Sequence, residues 1–205
     1  MPWHDEMDIL REVGSISAGQ GSVALSEILG QKINLKLPTL EFIPSTKIEK
    51  QIVLDDKMAI SVSCSVLSGI KGHITFILDE KSAYALVNMC YKIRKEDKES
   101  GHLTEMGISL IKEVGNVVIS SYIGALGMML KKVIIPSIPT LVHGPIREVI
   151  SIAASPFADS ESILVIEAVF EEDVQKITGS FYLTLNNESV YYIQDACKKI
   201  LESLK

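Results

Sequence analysis

The chain repeats itself. EVGSISAGQGSVALSEILGQKINLKLPTL from Glu12 lies on EVGNVVISSYIGALGMMLKKVIIPSIPTL from Glu113 without a gap, at an offset of 101 residues. In this register Glu12, Val13, Gly14, Ala24, Leu25, Leu29, Ile33, Pro38, Thr39 and Leu40 meet the same residue types at Glu113, Val114, Gly115, Ala125, Leu126, Leu130, Ile134, Pro139, Thr140 and Leu141. A second block, KGHITFILDEKSAYALVNMCYKI from Lys71, matches TGSFYLTLNNESVYYIQDACKKI from Thr178 at an offset of 107. The second half therefore carries six extra residues, which the reading places around His143 to Ser162. A period of this length is a duplication and not a solenoid, whose units are shorter. The chain reads as one domain over 1–205 made of two halves, about 1–100 and 101–205, joined by the polar RKEDKESGH segment.

Each half has the same order of elements. Apolar residues recur at helical spacing from Asp8 to about Leu29 and from about Thr104 to Leu130. The runs INLKLPTLEFI, AISVSCSVL and GHITFIL read as β segments, and SAYALVNMCYKI and SVYYIQDACKKI as closing helices. Hairpin-like strands with helices before and after them predict an α+β fold with pseudo-twofold symmetry and a mixed or antiparallel sheet. No Gly-rich loop follows a strand in the way a Rossmann or P-loop nucleotide site requires.

Composition narrows the function classes. With 20 Lys and Arg against 26 Asp and Glu, the net charge of −6 disfavours a nucleic-acid surface. Cys64, Cys90 and Cys197 are odd in number, far apart and without a CxxC, so neither a disulfide framework nor a thiolate zinc site is indicated. The acidic start, with Asp5, Glu6 and Asp8, lacks the basic and apolar pattern of a secretory signal. A cytoplasmic protein away from membranes is the expectation. The uncharged stretch between Glu113 and Lys131 contains Gly115, Asn116, Ser120, Ser121, Gly124 and Gly127, and reads as a buried helix rather than a membrane span.

On a helical wheel Ser109 and Asn116 fall about 40° and about 60° to one side of Glu113, forming a narrow polar stripe. Leu110, Val114, Val117 and Val118 form the adjacent apolar face. Asp8, Glu12 and Ser15 repeat the stripe in the first half, beside Ile9, Leu10, Val13 and Ile16. Solvated residues on two amphipathic helices would look the same. The pairing of each carboxylate with a helix-interior glycine, Gly14 or Gly115, argues for more, because such a glycine costs about 1 kcal/mol relative to Ala and implies a close approach.

The residues Ser109, Glu113, Asn116 and Pro139, at serine-x3-glutamate-x2-asparagine-x22-proline spacing, resemble the signature of the CheC/CheX/FliY phosphatase family. Asp8, Glu12, Ser15 and Pro38 repeat that spacing, so the duplicated layout is CheC-like over essentially the whole chain. The resemblance implies removal of the phosphoryl group from a phosphorylated CheY-type response regulator. It implies that Asn116 orients the attacking water, that Glu113 pairs with the receiver's lysine, and that magnesium belongs to the receiver, with no cofactor or metal of this chain's own. Ser15 stands where the family has asparagine, so the Glu12–Ser15 site is expected to be degenerate. Pro38 and Pro139 fix φ at the entrance to a β segment and are read as structural.

The rival reading is a non-catalytic module that binds CheD or a receiver, since CheD is also a partner within the family. His4, His73, His102 and His143 make no evident base partnership for Ser15 or Ser109 as nucleophile. A metal site around Glu113 lacks His or Cys ligands. The pairs Tyr191-Tyr192 and Met128-Met129 read as core or helix-packing residues.

Overall fold

Helical apolar spacing produces two long helices, α1 (Glu6–Leu29) and α3 (Glu105–Leu130). The computed structural model describes residues 6–44, 58–90, 103–154, 162–172 and 175–203, so the RKEDKESGH segment lies outside the described residues. Thr104 caps α3, its Oγ1 accepting from the Gly107 N–H at 3.2 Å. At the other end Lys131 takes a left-handed conformation with φ 52°, and the repeat-related Gly30 does the same after α1 with φ 65°.

Two short strands follow each long helix. After α1 come β1 (Asn34–Lys36) and β2 (Leu40–Pro44); after α3 come β5 (Ile135–Pro136) and β6 (Thr140–Pro145). Pro38 and Pro139 sit in the breaks between them, where a residue without an N–H costs no ladder bond. Next come the long strands β3 (Met58–Ser68) and β4 (Gly72–Asp79) in the first half and β7 (Ser162–Glu172) and β8 (Gln175–Leu185) in the second. The closing helices are α2 (Glu80–Cys90) and α5 (Asn187–Ser203). They begin two residues before Ser82 and Ser189 because Asp79 and Asn186 cap them, accepting from the N–H of Ser82 at 2.6 Å and of Ser189 at 3.0 Å.

All eight described strands form one sheet, and every described pairing is antiparallel. Along its main path the order is β1-β7-β8-β4-β3-β5, with β2 also on β7 and β6 also on β3. Exchanging β1 to β4 for β5 to β8 returns the same order. The edge strands of each half therefore lie on the long hairpin of the other.

The second half contains a helix outside the repeated blocks that the sequence reading did not assign, α4 (Ile146–Ala154). The six extra residues are not confined to its neighbourhood. Matched through their partners, β3 and β7 stand 102 apart across the long hairpins (Val66↔Gly72, Ala168↔Gly179) and 104 apart across the edge strands (Val62↔Leu141, Ile166↔Leu40), so at most three residues have been added by that point. The rest lengthen the second hairpin, which stays paired out to Glu172↔Gln175 whereas the first stops at Val66↔Gly72.

The main core lies between the sheet and α1, α2, α3 and α5. Tyr122 of α3 stands edge-on to Phe181 at 4.9 Å, and Phe76 to Phe170 at 5.8 Å. A smaller cluster of Ile43, Ala59, Ile77, Val149, Ile163 and Tyr182 forms on the other side of the sheet, where α4 supplies Val149. By length and apolarity α3 could cross a membrane, yet 61% of its most apolar window is buried inside the fold.

The helices α1 and α3 run antiparallel. The start of α1 reaches α5, with Glu6 near Cys197, while Gln31 just past its end donates to the Met89 carbonyl of α2 at 2.6 Å. The start of α3 packs Gly107 against Val87 of α2, and Lys132 past its end stands 3.8 Å over the Tyr192 ring of α5. Their contact falls at Gly21 and Ser121, with Ser121 Oγ 3.3 Å from where a Gly21 Cβ would lie.

Candidate functional site

Leu110, Val114, Val117 and Val118 all turn inward on α3, which fixes the helix's rotation about its own axis. That rotation leaves Ser109 and Glu113 exposed and Asn116 half-buried, so the stripe faces solvent as its spacing predicts. Among the described residues neither Glu113 nor Asn116 is engaged in a hydrogen bond or ion pair through its side chain. Three residues apart, they project from adjacent turns of one face. Met106 and Ser120 continue that exposed line at either end, and the sequence reading assigned neither to the site.

Gly115 sets the depth of the helix. A Cβ there would stand 2.7 to 2.9 Å from all three side-chain carbons of Val62 on β3, so the backbone between Glu113 and Asn116 lies directly on the sheet. Gly14 is different, because its Cβ would meet Leu37 only at 3.9 Å. The inferred need for a close approach therefore holds at Gly115 and not at Gly14.

In the first half Asp8, Glu12 and Ser15 are likewise exposed on α1. Asp8 is tied to Arg11, whose Nη1 donates to its carboxylate at 2.7 Å; Ser109 and Lys112 occupy these places in the second half. Ile16, read as apolar-face, is 42% exposed. The buried arc of α1 passes instead through Gly14, Ser17, Ala18 and Gly21, small residues that draw the helix inward on that side. Serine at position 15 offers one polar atom on a short stem, where an asparagine offers a donor and an acceptor farther out.

Pro139 is half-buried and Pro38 exposed, each at a strand break. Val62, under Gly115, pairs across the sheet with Leu141, which places the Pro139 turn at the sheet edge beside the stripe. The residue before Pro139, Ile138, is 86% exposed and escaped the sequence reading. Its repeat counterpart Leu37 lies half-buried against α1 at Gly14.

The remaining side chains singled out by sequence divide differently. Tyr192 and Met129 pack against the core, but Tyr191 is 65% and Met128 57% exposed, since consecutive helical residues point about 100° apart. His143 stands 3.4 Å from Glu80. His73 lies 3.3 Å from Ser65 Oγ across the β3–β4 pair, on the sheet face away from the stripes, and burial lowers its pKa. His4 and His102 lie outside the described residues. Burial raises the Cys64 and Cys197 thiols to about 11. Among the described residues no three His, Cys, Asp or Glu side chains converge as metal ligands.

No family model matches the chain. Among curated proteins it is similar to the CheY-P phosphatase CheC of Bacillus subtilis (strain 168), with 25% identity over 174 residues, 84% of this chain and 83% of that protein. It is also 25% identical over 117 residues to the flagellar motor switch phosphatase FliY of the same organism, 57% of this chain and 30% of that protein. Among solved structures, Thermotoga maritima FliY superposes with a TM-score of 0.74 at 22% identity, covering 95% of this chain and 96% of that one. The FliM middle domain from H. pylori does so with a TM-score of 0.60 at 10% identity, covering 96% and 99%. These structural likenesses establish the fold.

Proposed function

We propose that the chain is a member of the CheC-like chemotaxis phosphatase family and that it hydrolyses the acyl phosphate of a phosphorylated CheY-type response regulator, chiefly from the second-half stripe. One observation carries this reading: Glu113 and Asn116 stand free on adjacent turns of a helix whose backbone is seated on the sheet through Gly115. Two uncommitted polar groups on a rigid support suit insertion into another protein's site.

The reaction asks little covalent chemistry of this chain. A receiver's aspartyl phosphate brings its own metal and lysine, so the phosphatase needs to hold a water in line with the bond that breaks. The Asn116 amide accepts from that water through its oxygen and donates to the phosphoryl group through its nitrogen. Glu113 pairs with the receiver's lysine and fixes the approach. Water oxygen bonds to phosphorus as the phosphorus–carboxylate oxygen bond breaks, giving inorganic phosphate and the free aspartate. Magnesium stays with the receiver, and no cofactor of this chain's own takes part.

Ser15 in the asparagine position makes the Glu12 site a docking surface with little or no turnover. That half supports the second reading, a regulatory module that binds a receiver or CheD. The acidic charge balance supports a protein partner rather than nucleic acid, and three widely spaced cysteines without a CxxC support a reducing, cytoplasmic location. The two halves are proposed to be homologous parts of one domain.

Loss of acyl phosphate from a phosphorylated CheY-type receiver, at constant magnesium, tests the proposal. Acceleration by the wild type that is lost in both Glu113→Ala and Asn116→Ala is the expected result. Equal activity of wild type and Asn116→Ala would overturn the assignment of the site. Binding without acceleration would favour the regulatory module.

A further inference from the structure

We infer that the exposed apolar edge formed by Ile138, Ile135 and Val133 is a second part of the receiver-docking surface, belonging to the Glu113–Asn116 site alone. This rests on the phosphatase reading above. Ile138 is 86%, Val133 78% and Ile135 50% exposed. Single exposed apolar residues need no explanation, but a run of them along one sheet edge marks an interaction site.

The other half of the molecule supplies an internal comparison. At the repeat-related positions stand Leu37, Lys32 and Asn34. Leu37 is half-buried at Gly14, and the charged edge beside it is tied by Glu171, which holds Lys36 and Lys176 in ion pairs. Glu171 pairs with Asn34, and the repeat-related Ile135 pairs with the uncharged Ser68, beside which Leu67, at the register shift near the end of β3, is 66% exposed. One fold, used twice, thus has a charged edge in one copy and an apolar edge in the other.

Ile138 stands out for a mechanical reason. In the first half a gap at Gly14 accepts Leu37, whereas at Gly115 the Val62 side chain already fills that space. The residue has nowhere inward to go and projects from the edge next to the stripe.

The occupant follows from continuity. Val62 touches α3 at Gly115, between Glu113 and Asn116, and pairs with Leu141, three residues beyond Ile138. Adjacent strands are about 5 Å apart, so a body seated on Glu113 and Asn116 overlaps this edge. Glu113 and Asn116 supply polar alignment, and an apolar anchor at the rim supplies residence.

The test measures single-turnover dephosphorylation against receiver concentration, with binding of a beryllofluoride-activated receiver followed separately. Ile138→Asp is expected to raise the half-saturating concentration and the Kd by about tenfold or more while leaving the maximal rate within about twofold. Lys36→Ala, on the charged edge, is expected to change neither. Since Ile138 is exposed, the variant should keep the wild-type melting temperature, which is checked alongside. An unchanged half-saturation and Kd in Ile138→Asp, with Asn116→Ala inactive, would overturn the inference and leave the phosphatase standing. If the wild type binds without hydrolysis, the phosphatase reading fails and the Kd values still decide the docking surface. Self-association of the wild type that Ile138→Asp abolishes, with unchanged receiver affinity, would assign the edge to a second copy of the chain and overturn the inference.

Discussion

Thr75 and Tyr182 face each other across the central β4–β8 pair, and they are 107 residues apart. That separation is the offset of the second repeated block, so each residue's partner in the sheet is its counterpart in the repeat. An antiparallel pair has a local twofold axis between facing residues. The axis that relates the two halves therefore passes between Thr75 and Tyr182, and the contact of α1 with α3 at Gly21 and Ser121 lies within one residue of the corresponding point at offset 101. The geometry supports the proposed duplication and relates the Glu12 stripe to the Glu113 stripe by rotation.

The unequal seating of the two glycines gives a paired prediction. Gly115→Ala drives a methyl into Val62 and is expected to cost about 1–3 kcal/mol, with loss of phosphatase activity as α3 lifts from the sheet. Gly14→Ala has room beside Leu37 and should stabilise the protein by about 0.5–1 kcal/mol through helix propensity and reduced unfolded-state entropy. Urea denaturation of both variants, beside the wild type, checks the opposite signs.

The helix ends differ in the same way. Lys131 holds a left-handed conformation that Gly30 adopts without strain. Lys131→Gly should gain up to about 1 kcal/mol, and Gly30→Ala should lose about 1 kcal/mol. Thermal melts resolve both.

Ser15→Asn restores the missing amide at the first stripe. Dephosphorylation per chain is expected to rise, by at most about twofold if the two sites become equal. In the Asn116→Ala background the same substitution should return measurable activity, which phosphate release from a labelled receiver would read directly.

Burial and a raised pKa keep Cys64 and Cys197 protonated near neutral pH, while Cys90 is half-buried near the end of α2. Titration with a thiol reagent at about pH 8 should modify Cys90 first, and the other two only on unfolding. Mass spectrometry of the modified peptides identifies the residue; early labelling of Cys64 would contradict the packing of β3 against the helices.

Much of this was legible in the sequence, for reasons that differ by element. The apolar period of α1 and α3 is shallow beside that of α5, yet the rotation that exposes Glu113 could be read from the spacing of Leu110, Val114 and Val118, whereas on α1 the same reading put Ile16 on the wrong side. The caps could not be placed as well, since Asp79 and Ser82 are both good candidates and only the backbone distinguishes them. The pairing of β2 with β7 was hidden because a repeat aligns sequence with sequence and not strand with partner. Helix α4 has no counterpart in the aligned blocks to announce it. Ile138 was missed for a subtler reason: Leu37 and Ile138 are alike in type, and their different fates are set by Val62, far away in the chain.

The placement of β2 on β7 and of β6 on β3 has one more consequence. A fragment ending near residue 100 would keep the hairpin of β3 and β4 but lose the strand that covers its outer edge, and its own Leu40–Pro44 would have no hairpin to join. Each piece alone would leave a long hairpin edge unpaired. Two such pieces, made separately and mixed, could complete each other's edges, and a gene encoding only one could do so by pairing with its twin. The covalent link between the halves thus replaces a concentration-dependent assembly with an intramolecular one, and it frees each stripe to change independently of the other.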